Sequence, residues 1–330
     1  MISLINKIKS LLKLISNYRK IKTKKNLLFF VYINPLVYFF LAIFAKIIIR
    51  IKNRKLTNFF LEKKIFISII RLLTIKEKIY ISNTLKSYNT INSVADHKNN
   101  ISDKIEDLKI NGYCSLGKLF SDQECDDFIK SLDNKICFNN QTVLQSDGKE
   151  INFKLNNDKY LGSISNYFCF LPNIVLNFPP VKKLLNDKKL KTIIDDYLNF
   201  KSDIYHCITF YNPISNFSHY VQNPHRDFDD WKHIQLTIYW NEINEKNGAM
   251  TFYKKSHNSN YDKKNKVELN GAKGEVFLID TYGMHSANNV TVGSRFITFI
   301  RFAKYINKLN VVDGFLSTPT KDEIGFINYE

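Results

Sequence analysis

Five short runs between Asp203 and Phe302 do most to limit the fold: IYHCITFY, HIQLTIYW, GAMTFYK, GEVFLID and SRFITFIRF. Each is dense in β-branched and aromatic residues, and loops of Asn, Gly and Lys separate them. Short strands punctuated in this way indicate an antiparallel sandwich or barrel. Ahead of them, Ile101 to Ile129 reads as a helix, a Gly turn, a short strand and a second helix. Ser121 caps that second helix, with Glu124 three residues on completing a capping box. Lys182 to Phe200 reads as one further helix, burying Leu184, Leu185, Leu190, Ile193, Ile194 and Leu198.

The stretch Asn223 to Trp240, NPHRDFDDWKHIQLTIYW, sets His225 and Asp227 two residues apart at the entrance to one of these runs. In extended chain, side chains at i and i+2 share a face. An imidazole and a carboxylate therefore leave the backbone side by side, two-thirds of a small metal site. The third donor must come from elsewhere, and Asp280 to Phe302 offers His285, followed ten residues later by Arg295. Two imidazoles and one carboxylate on one side of a metal leave three positions open, the arrangement associated with non-haem Fe(II) oxygenases. An isolated surface His-Asp pair is the bland alternative.

Arg295 is singled out by alternation, which puts Arg295, Ile297, Phe299 and Arg301 on one face of their strand. A guanidinium in a mostly apolar interior needs an anionic partner. Arg301, near the strand end, reads instead as surface or substrate-facing. His206 reads as a satisfied core histidine, with Thr209 on the same strand. His219, His233 and His257 sit in or beside loops, and His257 is expected to fix a turn. Asp229, Asp230 and Trp231 are candidates for substrate contact. Lys254 to Lys266, KKSHNSNYDKKNK, reads as a mobile basic loop.

Charge divides the chain. Of 48 Lys and Arg and 31 Asp and Glu, residues 1–95 hold 19 bases and two acids, leaving 29 of each for the rest. The first 20 residues space Ile2, Ile5, Ile8, Leu12 and Ile15 at helical intervals with lysines on other faces. Leu27 to Ile49 is long enough to cross a bilayer, but Asn34-Pro35 breaks it, Lys46 sits near its end, and both flanks are basic. The domains expected are thus a basic, apolar helical arm over 1–95 and a catalytic domain over 96–330. Such an arm suits peripheral or monotopic attachment through residues 1–90 to the cytoplasmic face of an anionic membrane. A true span and a helical subdomain remain as alternatives. No nucleic acid partner is expected, because aliphatic residues and Phe dominate where a phosphate-tracking tail would carry Gly, Ser and Arg. Five cysteines, without CxxC spacing, indicate free thiols in a reducing, cytoplasmic setting.

Taken in order, Asn111-Gly112-Tyr113, His225-Arg226-Asp227, a strand ending in Trp240, Asn247-Gly248-Ala249-Met250, Ser256-His257, and His285 with Arg295 resemble the phytanoyl-CoA dioxygenase family. That family lies within the Fe(II)/2-oxoglutarate oxygenases, and the likeness covers about residues 101–305. Lys254-Lys255 stand where the family more often has Pro-Gly. The resemblance implies a double-stranded β-helix (jelly-roll, cupin-like) core with flanking helices. It implies that His225, Asp227 and His285 bind Fe(II), and that 2-oxoglutarate takes two further positions and O2 the last. Arg295 would hold the distal carboxylate of 2-oxoglutarate, assisted by a hydroxyl of Thr237 or Tyr239. Succinate and CO2 would be released. Because Asp227 is present where related halogenases carry a small residue, hydroxylation is expected. The substrate would be a small molecule, a lipid or a lipid-linked sugar. Two rival readings keep the jelly roll: a cupin-type divalent-metal isomerase or hydrolase, and a non-catalytic membrane-attached binding module.

Overall fold

Helix α1 (Asn100–Asn111) stops at Gly112, which adopts φ +88° and turns the chain into strand β1 (Tyr113–Lys118). A side chain is excluded there twice over. The left-handed backbone disfavours one, and a Cβ would lie 2.6 Å from His257 Nδ1 and 2.9 Å from Phe252 Cζ. The computed structural model describes residues 100–139, 150–199, 201–217, 222–227, 232–258 and 262–303. The basic arm, its 27–49 segment, His219, Asp229, Asp230 and Trp231 lie outside them. Among the described residues no helix is long and apolar enough to cross a membrane.

Helix α2 (Asp122–Ser131) starts on the expected capping box. Ser121 N–H donates to Glu124 Oε2 at 2.8 Å, and Glu124 N–H donates back to Ser121 Oγ at 3.2 Å. Then come β2 (Ile136–Phe138), β3 (Glu150–Asn152), α3 (Asp158–Ile164), β4 (Phe168–Phe170) and α4 (Pro172–Leu176). The single helix expected over 182–200 is in fact two, α5 (Pro179–Leu185) and α6 (Lys188–Leu198). Asp187 separates them because its carboxylate accepts from Lys189 N and Leu190 N, starting a new helix.

Strands β5 (Asp203–Asn212), β6 (Ile234–Tyr239), β7 (Met250–Tyr253), β8 (Lys266–Leu269), β9 (Glu275–Ile279), β10 (His285–Ala287) and β11 (Arg295–Ala303) complete the domain. They form an eight-stranded sheet ordered β1-β9-β6-β11-β5-β4-β2-β3 and a three-stranded sheet ordered β10-β7-β8. All pairings are antiparallel. β8 begins inside the stretch expected to be one loop, Lys254–Lys266, and a 3-10 turn (Lys263–Asn265) leads into it.

The large sheet buries both faces. One packs Ile234, Leu236, Ile238, Trp240, Ile300 and Phe302 against Phe128, Leu190 and Ile194 of the helices. Trp240 stacks on Phe128 with ring centroids 3.9 Å apart, and its indole N–H donates to Thr298 Oγ1 at 2.7 Å. Full burial of each such aromatic contributes roughly 2–3 kcal/mol. The other face carries Tyr239, Phe277, Ile279 and Ile297, packed on Ala249, Met250, Phe252 and Leu269 around the small sheet. Two antiparallel sheets facing each other in this way are the double-stranded β-helix. All five cysteines are free thiols, and all are buried.

Candidate metal centre

The site is built where the chain entering β6 crosses the small sheet. His225 and His285 form an isolated antiparallel bridge, and Asp227 N–H donates to Thr281 O at 2.9 Å. His285 is paired with Phe252 in β10–β7, so its ring faces the inner side that Phe252 packs. Alternation then turns His225 and Asp227 to one side, as extended backbone requires.

One nitrogen or oxygen from each of His225, Asp227 and His285 lies within 4.8 Å of the others. His225 Nε2 is 3.8 Å from Asp227 Oδ1, and His285 Nε2 is 3.7 Å from Asp227 Oδ2. Each ring is oriented by its other nitrogen. His225 Nδ1 sits 2.8 Å from Asn223 O and His285 Nδ1 sits 2.9 Å from Gly283 O. A carbonyl oxygen can only accept, so both Nδ1 atoms carry a proton and both rings turn Nε2 inward. Burial pushes the His285 imidazole down to about 4, against the pull of the Asp227 charge, so this ring is neutral near pH 7. Burial alone would raise the Asp227 carboxyl. Arg301, then His285 and His225, hold it well below the usual carboxylate range. Two imidazole nitrogens and one anionic oxygen suit a divalent first-row metal.

Arg226, between the two residues, faces away. Its Nη1 donates to Ser256 O and Tyr282 O, both at 2.6 Å, and its guanidinium lies 5.1 Å from the Tyr282 ring centre. It clasps the segment to two loops.

Arg295 is 9 % exposed and opposite Asn212 in β11–β5. Its Nε donates to Asn212 Oδ1 at 3.0 Å and its Nη1 to Gly248 O. Among the described residues no carboxylate meets it. Burial pushes its guanidinium down to about 10, which leaves it charged near neutral pH. Gly248, at φ +95°, makes the turn that brings this carbonyl in; a Cβ would lie 3.4 Å from Arg295 Cδ.

The two hydroxyls expected near the co-substrate are both buried. Tyr239 donates to Leu269 O at 2.7 Å, and Thr237 Oγ1 accepts from Gln235 Nε2 at 3.1 Å. His206 is buried opposite Arg301, and His257 Nε2 lies 3.1 Å from Lys109 O at the Gly112 turn. His233, expected in or beside a loop, lies directly ahead of β6 and is fully buried, with Nε2 2.9 Å from Thr281 Oγ1. Arg301, read as surface or substrate-facing, is mostly buried and turned to the metal centre: it pairs with Asp227 Oδ2 at 2.9 Å and donates through Nε to Gln235 Oε1 at 2.9 Å. Its shared face with Arg295 was the available sequence signal.

A jelly roll bearing a His, His and carboxylate donor set defines the class of the Fe(II)/2-oxoglutarate oxygenases. The chain belongs to the family described as phytanoyl-CoA dioxygenase (PhyH), whose sequence profile matches residues 108–297, more than half of the 330. Its cofactors are Fe(II) and 2-oxoglutarate, with O2 as the oxidant. Compared with curated proteins, the sequence finds no match.

Among solved structures, the epimerase SnoN from nogalamycin biosynthesis, described as non-heme and alpha ketoglutarate dependent, is similar at TM-score 0.47 and 11% identity. That likeness covers 69% of this chain and 96% of SnoN. HygX from Streptomyces hygroscopicus, solved with nickel and 2-oxoglutarate, gives 0.45 and 12% over 72% of this chain and 98% of HygX. EctD from S. alaskensis, with bound Fe, gives 0.47 and 18% over 65% and 81%.

Proposed function

We propose that this protein is a hydroxylase in which His225, Asp227 and His285 hold Fe(II) and Arg295 anchors 2-oxoglutarate. The observation that carries the reading is the convergence of two inward-turned Nε2 atoms and one carboxylate within 4.8 Å. The bound iron, with 2-oxoglutarate and O2, supplies a two-electron oxidation of a substrate C–H bond, with release of succinate and CO2. The protein's own part is to hold and orient. The carbonyls of Asn223 and Gly283 fix the two imidazole tautomers. Arg295 offers the distal carboxylate a buried, positively charged partner, a charge-assisted contact favoured by a guanidinium's forked geometry. Asn212 and Gly248 O keep that guanidinium aimed. A metal-only isomerase or hydrolase leaves Arg295 without a role.

The substrate is proposed to be a small molecule. Incubating the protein with Fe(II), ascorbate, O2 and 2-oxoglutarate should yield succinate slowly even without primary substrate. If neither succinate nor 2-oxoglutarate binding is detected, the reading fails. Residues 1–95 are proposed as a separate basic arm ahead of the oxygenase domain, with affinity for anionic lipid. Deleting residues 1–90 should release the protein from vesicles containing phosphatidylserine, and binding that survives the deletion would place the anchor elsewhere.

A further inference from the structure

Asp227 offers its two oxygens to different neighbours. Oδ2 accepts from Arg301 Nη2 at 2.9 Å and lies 3.7 Å from His285 Nε2, whereas Oδ1 accepts no hydrogen bond among the described residues and faces His225 Nε2 at 3.8 Å. Arg301 is itself held. Its Nε donates to Gln235 Oε1 at 2.9 Å, and Gln235 Nε2 donates to Thr237 Oγ1 at 3.1 Å. The register explains the chain of contacts: Arg301 is opposite Gln235 in β11–β6, with Phe299 opposite Thr237, so all share the inner face. The side chains of Asp227 and Arg301 are each only 17% exposed.

We infer that Arg301 is a positioning residue that keeps Asp227 monodentate, using Oδ2 so that Oδ1 alone is offered to the metal. The inference rests on the proposed metal site. A carboxylate is free to give a cation one oxygen or two. Two imidazoles and one carboxylate oxygen leave three of six octahedral positions, enough for a chelating co-substrate and O2. A second carboxylate oxygen would remove one of them. Arg301 disfavours this by drawing that oxygen toward its guanidinium, and the Thr237–Gln235 pair holds the guanidinium in place. Thr237 thus stands three contacts away from Asp227.

The test uses Co(II) as the probe, under argon, on the full chain, with wild type, Arg301→Gln, Arg301→Lys and Gln235→Leu. Three quantities are read: Co(II) affinity by competition with a chromophoric chelator, the visible d–d spectrum of the Co(II) protein, and 2-oxoglutarate affinity. In Arg301→Gln, Co(II) should still bind at one per chain. Its d–d spectrum should change even without 2-oxoglutarate, and 2-oxoglutarate affinity should fall about tenfold or more, the scale of a lost charged hydrogen bond. Arg301→Lys, which keeps the charge, should recover part of that loss. Gln235→Leu should shift the spectrum in the same direction by less, and it keeps the test alive if Arg301→Gln does not fold. A purely structural arginine would lower thermal stability and leave the spectrum of the folded protein unchanged. Identical spectra and identical 2-oxoglutarate affinity across the folded variants would overturn the inference. Wild type that takes up Co(II) but not 2-oxoglutarate would instead sink the proposed co-substrate, with the spectral comparison still deciding the role of Arg301.

Discussion

His225 and His285 hydrogen-bond to each other twice through their backbones, N to O at 2.8 Å and 2.9 Å, and their rings lie 4.4 Å apart. This is the hydrogen-bonded pair of an antiparallel ladder reduced to a single rung. The spacing of the two imidazoles is thereby set by main chain, before any metal arrives. The candidate site is rigid in its histidines and tuned through its carboxylate.

Replacing Asp227 by Ala should abolish metal-dependent succinate formation, with at least about a hundredfold loss. It should also destabilise the fold, because Arg301 then keeps a charge in a mostly buried setting without its partner. Removing one member of a buried pair costs about 3 kcal/mol, a value read from urea midpoints of the metal-free proteins. Asp227→Asn retains the oxygen but not the charge, and should lose activity with a smaller stability change.

Arg295→Ala should leave Co(II) binding intact while weakening 2-oxoglutarate roughly thirty- to a hundredfold, the equivalent of about 2–3 kcal/mol for a charged contact. Tyr239→Phe offers the contrast. Its hydroxyl is committed to Leu269 O, so the change should cost about 1 kcal/mol of stability and move 2-oxoglutarate affinity little. Isothermal titration of both variants separates the two residues; equal losses of affinity would tie Tyr239 to the co-substrate as well.

Lys255 sits at φ +65°, the left-handed region where a Cβ is strained. Lys255→Gly should relieve that strain and, after the added freedom of the unfolded chain, stabilise by about 0.5–1 kcal/mol. A melting point about 2 °C higher is expected. The Lys255 N–H bond to Asn111 O is retained by glycine.

His285 gives the metal-free protein a pH signature. Burial pushes its imidazole down to about 4, whereas an unfolded chain protonates it near 6.5. Between those values the unfolded state binds a proton that the folded state refuses. Stability should therefore be level above about pH 6.5 and decline as pH falls toward 4, by up to about 1.4 kcal/mol per unit. Asp227 acts in the same direction lower on the scale: its depressed carboxyl contributes stability that is lost only below its unfolded value of about 3.9. Chemical denaturation at stepped pH, compared with His285→Gln, should show the slope of the upper window reduced in the variant.

Much of the domain was legible from alternation and capping. The five strand-like runs from Asp203 to Phe302 became β5, β6, β7, β9 and β11, and the Ser121–Glu124 box starts α2 as its spacing requires. What escaped was short or shared. β2, β3 and β4 are three residues each, too brief to show a period. The break in α5–α6 hinges on Asp187 preferring to cap, a choice that the apolar spacing on both sides masks. In the site, i and i+2 spacing placed His225 with Asp227, but pairing between distant strands decides which arginine meets which anion. Arg301 and Gln235 are 66 residues apart in sequence and opposite each other in β11–β6. No local pattern carries that information.

The position of β11 in the large sheet has a consequence for how the protein is made. It lies between β5 and β6, yet it is the last strand of the described chain to leave the ribosome. Until it arrives, β5 and β6 each present an unsatisfied edge, and the carboxylate of Asp227 lacks Arg301. Long-range pairing of this kind is slow, and such edges invite association between nascent chains. A protein truncated before Arg295 would lose more than a co-substrate anchor: its sheet would be left in two halves, with a gap the width of one strand where the two should join.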